Sequence, residues 1–180
     1  VGRAYGPPRN FAGTAPLFFV NQGDGRFTER AEAAGLVVTD PVTKAPAAKS
    51  LGVALAHLDG DRCLDLVVAN DTVRNYAFRN RCDGTFEEVG TTLGLAYDSY
   101  GNARSGMGID IAEVRDDGAP VIAIGNFANE MTAFLARQAS GQFVDEAIAA
   151  GIGAPSRAFL TFGVLFFDYD LDGRQDLLTI

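Results

Sequence analysis

The stretch "GVLFFDYDLDGRQDLLTI", residues 163–180, is one of three related copies in the chain. The other copies are "GVALAHLDGDRCLDLVVAN" at 52–70 and "GIDIAEVRDDGAPVIAIGN" at 108–126, so the copies begin at intervals of 56 and 55 residues. In each copy two apolar runs flank a polar loop, a pattern that predicts two antiparallel strands joined by a turn. The sequence is therefore built from repeats, and we expect each repeat unit to form one structural unit of the fold.

A second block repeats in the same phase and supplies two more strands per unit. Its copies are "NQGDGRFTERAEAAGL" at 21–36, "NRCDGTFEEVGTTLGL" at 80–95 and "RQASGQFVDEAIAAGI" at 137–152. Asp-Gly between apolar runs is a strong hairpin signal, and the run before the last glycine of each copy predicts a helical turn. In the unit that begins near residue 51, the predicted strands are Val53–Ala56, Leu66–Ala69, Tyr76–Arg79 and Thr85–Val89.

Units of four strands, repeated in phase, predict an all-β fold and specifically a β-propeller of four-stranded antiparallel blades. A stacked β-sandwich is the alternative. We expect residues 1–50 to hold the outer strands of one blade, 51–106 and 107–161 to form full blades, and 162–180 to give the inner strands of a further blade. Three blades' worth of strands predicts an arc of a larger propeller, or a piece that completes a ring as an oligomer.

Charge and hydropathy exclude two classes of partner. The net charge is −8, and the Lys and Arg residues form no cluster of the kind that neutralises phosphates, so we expect no nucleic acid partner. The longest apolar stretch runs over residues 158–167, whereas a spanning helix needs roughly 20 apolar residues. We therefore expect no membrane insertion.

The acidic loop of the last copy has the pattern of a calcium site. Carboxylates at positions 1, 3, 5 and 9, with a backbone carbonyl at position 7, suit a hard cation that takes 6 to 8 oxygen ligands. The twelfth position is Thr179 and a strand follows, which excludes an EF-hand. An acidic surface turn without an ion is the alternative. The predicted ligands are Asp168, Asp170, Asp172 and Asp176, with the carbonyl of Arg174.

The loop at residues 57–65 is an imperfect copy of this site. Its predicted ligands are Asp59, Asp61 and Asp65, with Cys63 at the position of Arg174. His57 occupies the first position, where imidazole suits a hard ion poorly, so we expect weaker binding.

The loop at 113–121 retains Glu113 and Asp117 but has Arg115 and Val121 at ligand positions. We expect no metal there, with the guanidinium pairing with the two acids in place of the cation.

The two cysteines, Cys63 and Cys82, fall in neighbouring loops of one unit. Adjacent loops can reach the Cα separation of about 4.4–6.8 Å that a bridge needs. We expect a disulfide, which would imply an oxidising compartment. Two free thiols are the alternative.

Several motifs carry a resemblance to known proteins. "FGVLFFDYDLDGRQDLL", "GVALAHLDGDRCLDLVVAND" and "NRCDGTFEEVG" resemble the FG-GAP/VCBS calcium-binding propeller repeats of integrin α-chains and bacterial surface proteins. "AYGPPRNF", "SYGNARSGMGIDIAEV", "IGNFANEM" and "GIGAPSR" are similar to the cartilage acidic protein family, which is associated with an ASPIC/UnbV domain. The resemblance implies a secreted, Ca²⁺-stabilised propeller of about seven blades that serves as an adhesion or interaction platform, without a catalytic site.

Three functions remain open at this point. The leading one is an extracellular or cell-surface module that binds a protein or glycan through the loops opposite the acidic ones. The second is the propeller of a calcium-dependent polysaccharide lyase or hydrolase, although the single histidine lies in an acidic loop. The third is a purely architectural segment completed by other blades. The candidate contact residues for the first are Asn70, Asp71, Arg74, Asn75, Asn126, Asn129 and Glu130, which turn chemistry explains equally well.

Overall fold

The computed structural model describes residues 6–180, so the first five residues of the predicted segment 1–50 lie outside it. The strands form antiparallel sheets of two, four, four and two strands along the chain. This confirms a mostly β fold of antiparallel sheets, two of them four-stranded. The division of the chain into blades at 1–50, 51–106, 107–161 and 162–180 stays a prediction. The sheets do not close into a ring within the described residues.

The first two sheets lie in the N-terminal half. The two-stranded sheet consists of β1 (Phe19–Asn21) and β2 (Phe27–Glu29). The four-stranded sheet that follows consists of β3 (Ser50–Ala56), β4 (Asp65–Asn70), β5 (Tyr76–Asn80) and β6 (Phe86–Glu88).

The other two sheets come in the opposite order, a four-stranded sheet followed by a two-stranded one. The second four-stranded sheet consists of β7 (Gly106–Glu113), β8 (Pro120–Asn126), β9 (Ala133–Arg137) and β10 (Phe143–Asp145). The last sheet consists of β11 (Val164–Phe167) and β12 (Asp176–Thr179). Each four-stranded sheet is a simple meander in which consecutive strands are neighbours.

Three of the four sheets pack against one another through their first strands. β3 contacts β7, and β7 contacts β11. A Cβ on Gly52 of β3 would lie 2.7 Å from the carbonyl oxygen of Met107, and one on Gly108 of β7 would clash with the carbonyl of Phe162. Glycine at the start of the first two copies therefore allows the backbones of successive first strands to approach closely.

One of the buried apolar clusters lies between the two four-stranded sheets. Val67 of β4 and Ile122 and Ile124 of β8 are fully buried, and Leu95 and Leu135 pack into the same cluster. These middle strands are continuously apolar because both of their faces are covered.

Turns and short helices follow each second hairpin, as predicted. The helix α1 (Gly90–Leu93) ends at Gly94, whose φ is 77°. A Cβ on Gly94 would lie 2.6 Å from the carbonyl oxygen of Phe143, so this glycine both ends the helix and permits contact with the next sheet. A second short helix, α2, spans Gly153–Ser156. Among residues 6–180, no helix combines the length and the hydropathy that crossing a bilayer requires.

Candidate metal centre

The predicted calcium loop connects the two strands of the last sheet. Phe167 ends β11 and pairs with Asp176, the first residue of β12. Asp168 follows β11 directly, so the first and ninth positions of the pattern lie side by side at the base of the loop. The pairing register of the hairpin thus brings together carboxylates that are eight residues apart in sequence.

The carboxylates of Asp168, Asp170 and Asp176 converge. Each offers an oxygen, and the three oxygens lie within 4.8 Å of one another. No lysine, arginine or histidine among residues 6–180 forms an ion pair with any of the three. A set of ligands made only of oxygen suits a hard cation, and the group can hold a metal ion.

Backbone amides fix the position of two of these carboxylates. Asp168 accepts hydrogen bonds from the amides of Asp172, at 3.0 Å, and Gly173, at 2.8 Å. Asp176 accepts one from the amide of Tyr169 at 3.2 Å. Gly173 has a φ of 87°, which a glycine adopts without strain and which turns the chain back toward β12. The loop therefore holds the acids together through its own backbone.

Asp172 does not join the other three carboxylates. Its side chain accepts a hydrogen bond from the Arg174 amide at 2.9 Å, and the Arg174 guanidinium lies 3.8 Å from its other oxygen. The Arg174 side chain is largely exposed and that of Asp172 is partly exposed, so this ion pair contributes little to stability. The roles of Asp172 and of the Arg174 carbonyl as ligands stay predictions.

The equivalent loop at 57–65 is organised differently. The first difference concerns the aspartate at its ninth position. Asp65 is completely buried, and its carboxylate accepts hydrogen bonds from the amides of Leu58, at 2.7 Å, and Asn80, at 2.8 Å. The Asn80 side chain also donates to the carbonyl of Leu64 at 3.1 Å. Asp65 therefore joins its own loop to the end of the third strand, β5.

The remaining predicted ligands of this loop have protein partners. Asp59 pairs with Arg79 at 3.3 Å, and Asp61 accepts the Cys63 amide at 2.7 Å. The Nδ1 atom of His57 lies 3.2 Å from the Cys63 carbonyl oxygen, the atom predicted to face an ion. Within the described residues Asp59, Asp61 and Asp65 do not form a three-carboxylate group like that of the last loop. Metal binding here stays a prediction.

The predicted disulfide between Cys63 and Cys82 is confirmed. The two Cα atoms lie 5.8 Å apart, and the bridge joins the 57–65 loop to the turn between β5 and β6. Asp61 lies beside both sulfur atoms. Because the sulfurs are bonded to each other, they are not thiolates and this group is not a thiolate metal site.

The loop at 113–121 corrects one expectation. Arg115 pairs with Glu146, not with Glu113 or Asp117, so its predicted partners are wrong. Hydrogen bonds from Arg115 and then from Gln138 lower the pKa of the Glu146 carboxyl. Sequence position alone does not reveal this contact, because Glu146 lies beyond the fourth strand of the same unit. The prediction that no metal binds in this loop stays a prediction.

The loops at the opposite end of the sheets form one connected layer. The Asp71 amide donates to the Lys49 carbonyl at 2.9 Å, and the Thr72 amide to that of Arg104 at 3.2 Å. Likewise, the Asn129 amide donates to the carbonyl of Arg157 at 2.8 Å. The Phe127 amide also donates to the Ser105 carbonyl at 3.1 Å, and together these bonds bring the loops at 37–51, 70–75, 96–107, 126–132 and 153–161 into contact.

Two of the proposed contact residues are buried in this layer. The Asn70 side chain accepts a hydrogen bond from Ser50 and donates to the Arg74 carbonyl, and the Asn126 side chain donates to the carbonyl of Met131. For Asn70 and Asn126 the expectation of partner contact is wrong, because their amides hold the loops. Four aromatic side chains are exposed in this layer, and sequence reasoning missed them. They are Tyr97, Tyr100, Phe127 and Phe159.

Sequence reasoning also missed the structural role of Asn80. A signal was present in the repeats, because Asn21 and Asn80 occupy the same position and Arg137 replaces them in the third copy. In the same unit, at 107–161, Val121 occupies the position of Asp65, whose carboxylate accepts a hydrogen bond from the Asn80 amide. The unit at 51–106 thus has both the asparagine and the ninth-position aspartate, whereas the unit at 107–161 has neither.

No model of a known protein family matches this chain, and no curated protein matches it either.

Proposed function

We propose that this chain is a segment of an extracellular, Ca²⁺-stabilised β-propeller that acts as a non-catalytic interaction module. The observation that carries the proposal is the group formed by Asp168, Asp170 and Asp176. Three carboxylates whose oxygens lie this close repel one another unless a cation lies between them. A bound Ca²⁺ would offset that repulsion and hold β11 against β12.

The arrangement of the sheets supports a propeller. In a propeller the first strands of successive blades surround a central axis and lie next to each other. Here β3 packs against β7, and β7 against β11. A glycine allows the backbones to come close in both cases, Gly52 in one and Gly108 in the other.

The disulfide supports an extracellular or cell-surface location. Bridges such as Cys63–Cys82 persist in oxidising compartments and are rare in the cytosol.

The connected loop layer supports a role in binding. Tyr97, Tyr100, Phe127 and Phe159 expose aromatic rings there, and aromatic residues are enriched where proteins bind partners. Many of the backbone groups of this layer bond to neighbouring loops, which makes it a scaffold for these rings. The partner we propose is an extracellular protein or glycan.

Terbium luminescence tests the metal site. Tb³⁺ is a hard cation that replaces Ca²⁺ in oxygen-ligand sites, and Tyr169 lies between Asp168 and Asp170 with 67% of its surface exposed. We expect emission sensitised by Tyr169, displaced by Ca²⁺, and lowered about tenfold or more by Asp170→Asn.

The matched control is Asp116→Asn, in the loop where no metal is expected. It should leave the emission unchanged. Equal emission from the native chain and from Asp170→Asn would overturn the site.

A panel of acidic polysaccharides tests the binding role. Retention of the chain without release of products supports an interaction module, and the double substitution Tyr100→Ser and Phe127→Ser should weaken retention. Release of oligosaccharide products would instead support the lyase or hydrolase.

A further inference from the structure

A cleft lies at the junction of the two four-stranded sheets. On one side it is lined by the loop that follows α1, with Tyr97 and Asp98, and on the other by β9 and β10, with Leu135, Phe143 and Asp145. Its volume is about 330 Å³, at the lower end of the range for sites that hold small molecules. All of its lining residues lie between positions 91 and 145, within the two four-stranded units.

Three charged side chains are grouped at the inner side of this cleft. The Nη2 of Arg104 donates to Asp145 at 2.9 Å, and its Nε lies 3.9 Å from a carboxylate oxygen of Asp98. The three side chains are between 9% and 15% exposed. Two carboxylates and one guanidinium leave one negative charge, so a ligand that carries a negative charge of its own is disfavoured.

Hydrogen-bond donors and acceptors both remain available in this group. Among the described residues the Oδ2 of Asp98 has only long contacts, at 3.5 Å to the Asn102 side-chain amide and 3.9 Å to Arg104. The Nη1 of Arg104 lies 3.5 Å from the Met131 carbonyl oxygen, farther than in an ordinary hydrogen bond. A hydroxyl group can donate to Asp98 and accept from Arg104, whereas an ammonium group can only donate.

A buried acceptor without a partner lies behind the cleft. A hollow of about 10 Å³, enough for about one water molecule, shares Tyr97, Asp98 and Asp145 with the cleft and is also lined by Asn126. Asn126 is 1% exposed, and its Oδ1 has no hydrogen-bond partner among residues 6–180. One water in the hollow can join this oxygen to a hydroxyl group bound in the cleft.

A difference between the two units explains why this oxygen lacks a donor. In the unit at 51–106 the equivalent oxygen of Asn70 accepts a hydrogen bond from the Ser50 hydroxyl at 2.9 Å. Gly106 occupies the position of Ser50 and supplies no hydroxyl, and the amide of Ser105 donates to Glu130 at 2.7 Å. The sequence of this unit therefore leaves the acceptor to a donor from outside the chain.

The repeat explains one acid of the cleft. Glu29 and Glu88 occupy the position of Asp145 in the other copies. Asp145 accepts hydrogen bonds from the amides of Phe134 and Ala147, each at 3.1 Å. This carboxylate is therefore a structural element that the copies share.

Tyr97 and Asp98 are particular to this junction. In the first copy the same positions hold Val38 and Thr39, and in the third they hold an alanine and a proline. The Tyr97 side chain is 43% exposed, so its ring forms a wall of the cleft that solvent and ligands can reach. The repeat does not require an aromatic ring or a second carboxylate here.

We propose that this cleft binds an uncharged sugar unit of a glycan, with the Tyr97 ring against the sugar and with Asp98 and Arg104 bonded to its hydroxyls. A sugar ring has C–H groups on one face and hydroxyls at its edge, which match an aromatic wall beside paired donors and acceptors. The remaining negative charge selects against acidic sugars. The inference rests on the proposed interaction role and names a class of glycan for it.

Saturation-transfer NMR with four neutral oligosaccharides, maltotriose, cellotriose, mannotriose and lactose, tests the cleft. We expect at least one of them to bind the native chain. Tyr97→Val introduces the residue of the first copy and should weaken the affinity about tenfold. Asp98→Asn keeps an oxygen to accept the Tyr100 amide but lacks the second carboxylate oxygen, and it should weaken the affinity about tenfold or more.

The matched control is Phe11→Val, which removes an exposed aromatic ring outside the cleft and should bind as the native chain does. Circular dichroism checks that each variant keeps its fold. The proposal is overturned if the native chain binds none of the four sugars, or if the native chain and Tyr97→Val bind them equally. Tighter binding of trigalacturonate or of butylammonium would overturn the class of ligand.

Failure of the cleft and failure of the proposed function are distinguishable. Acidic polysaccharides that are retained equally by the native chain and by Tyr97→Val, with no neutral sugar bound, would overturn the cleft and leave the interaction module in place. Neutral-sugar binding that persists in Asp170→Asn, after the terbium emission is lost, supports the cleft independently of the metal site.

Discussion

Removing the disulfide is expected to destabilise the chain by an amount that follows from the size of the loop it closes. Cys63 and Cys82 are 19 residues apart in sequence. Closing a loop of this size lowers the entropy of the unfolded chain and stabilises the fold by about 3 kcal/mol at 25 °C. We therefore expect Cys63→Ala with Cys82→Ala to lower the free energy of unfolding by about 3 kcal/mol.

Urea denaturation measures this loss directly, and thermal unfolding gives a second value. For a chain of this length, about 3 kcal/mol corresponds to a fall in Tm of about 6–12 °C. The described residues hold no free cysteine, so a reductant should shift the native chain to the stability of the double variant and leave that variant unchanged. A loss below about 1 kcal/mol, or an equal effect of reductant on both proteins, would refute the reasoning.

Three further predictions concern single residues. Asp65→Ala removes the acceptor of two backbone amides, one of them buried, and should cost about 3 kcal/mol in urea denaturation. Asp59→Ala, in the same loop, removes only a partly exposed ion pair and should cost less than about 1 kcal/mol. Equal losses would contradict the structural role of Asp65. Ile122→Ala creates a cavity in the fully buried core and should cost about 2–5 kcal/mol by the same measurement, so a loss below 1 kcal/mol would show that the core is misplaced. Because hydrogen bonds lower the folded-state pKa of Glu146 below 4.5, its stabilisation is present above pH 4.5 and is lost as the pH falls through the lowered pKa. The gap in Tm between the native chain and Glu146→Gln should therefore close under acid, and a gap that is constant from pH 7 to pH 3 would contradict this.

The architecture could be predicted from the sequence because its signals are local and repeated. Alternating or continuous apolar runs such as 66–69 define strands, and Asp83-Gly84 defines a hairpin turn. The repeat then fixes which strands belong together. The 5.8 Å between the Cα atoms of Cys63 and Cys82 follows from the same reasoning, because neighbouring hairpins of one sheet end side by side.

Contacts between loops could not be read from the sequence. The pairing of Arg115 with Glu146 depends on how the first loop of a unit lies over its fourth strand. The burial of Asn70 and Asn126 depends on bonds made by the following loop.

Calorimetric titration of Ca²⁺ into the chelator-treated chain tests the central claim most directly. We predict that the native chain binds one ion in the last hairpin, and that a chain with both Asp168→Asn and Asp170→Asn loses that ion while keeping its β-sheet circular dichroism. Absence of binding by the native chain, or a stoichiometry that the two substitutions leave unchanged, would contradict the account.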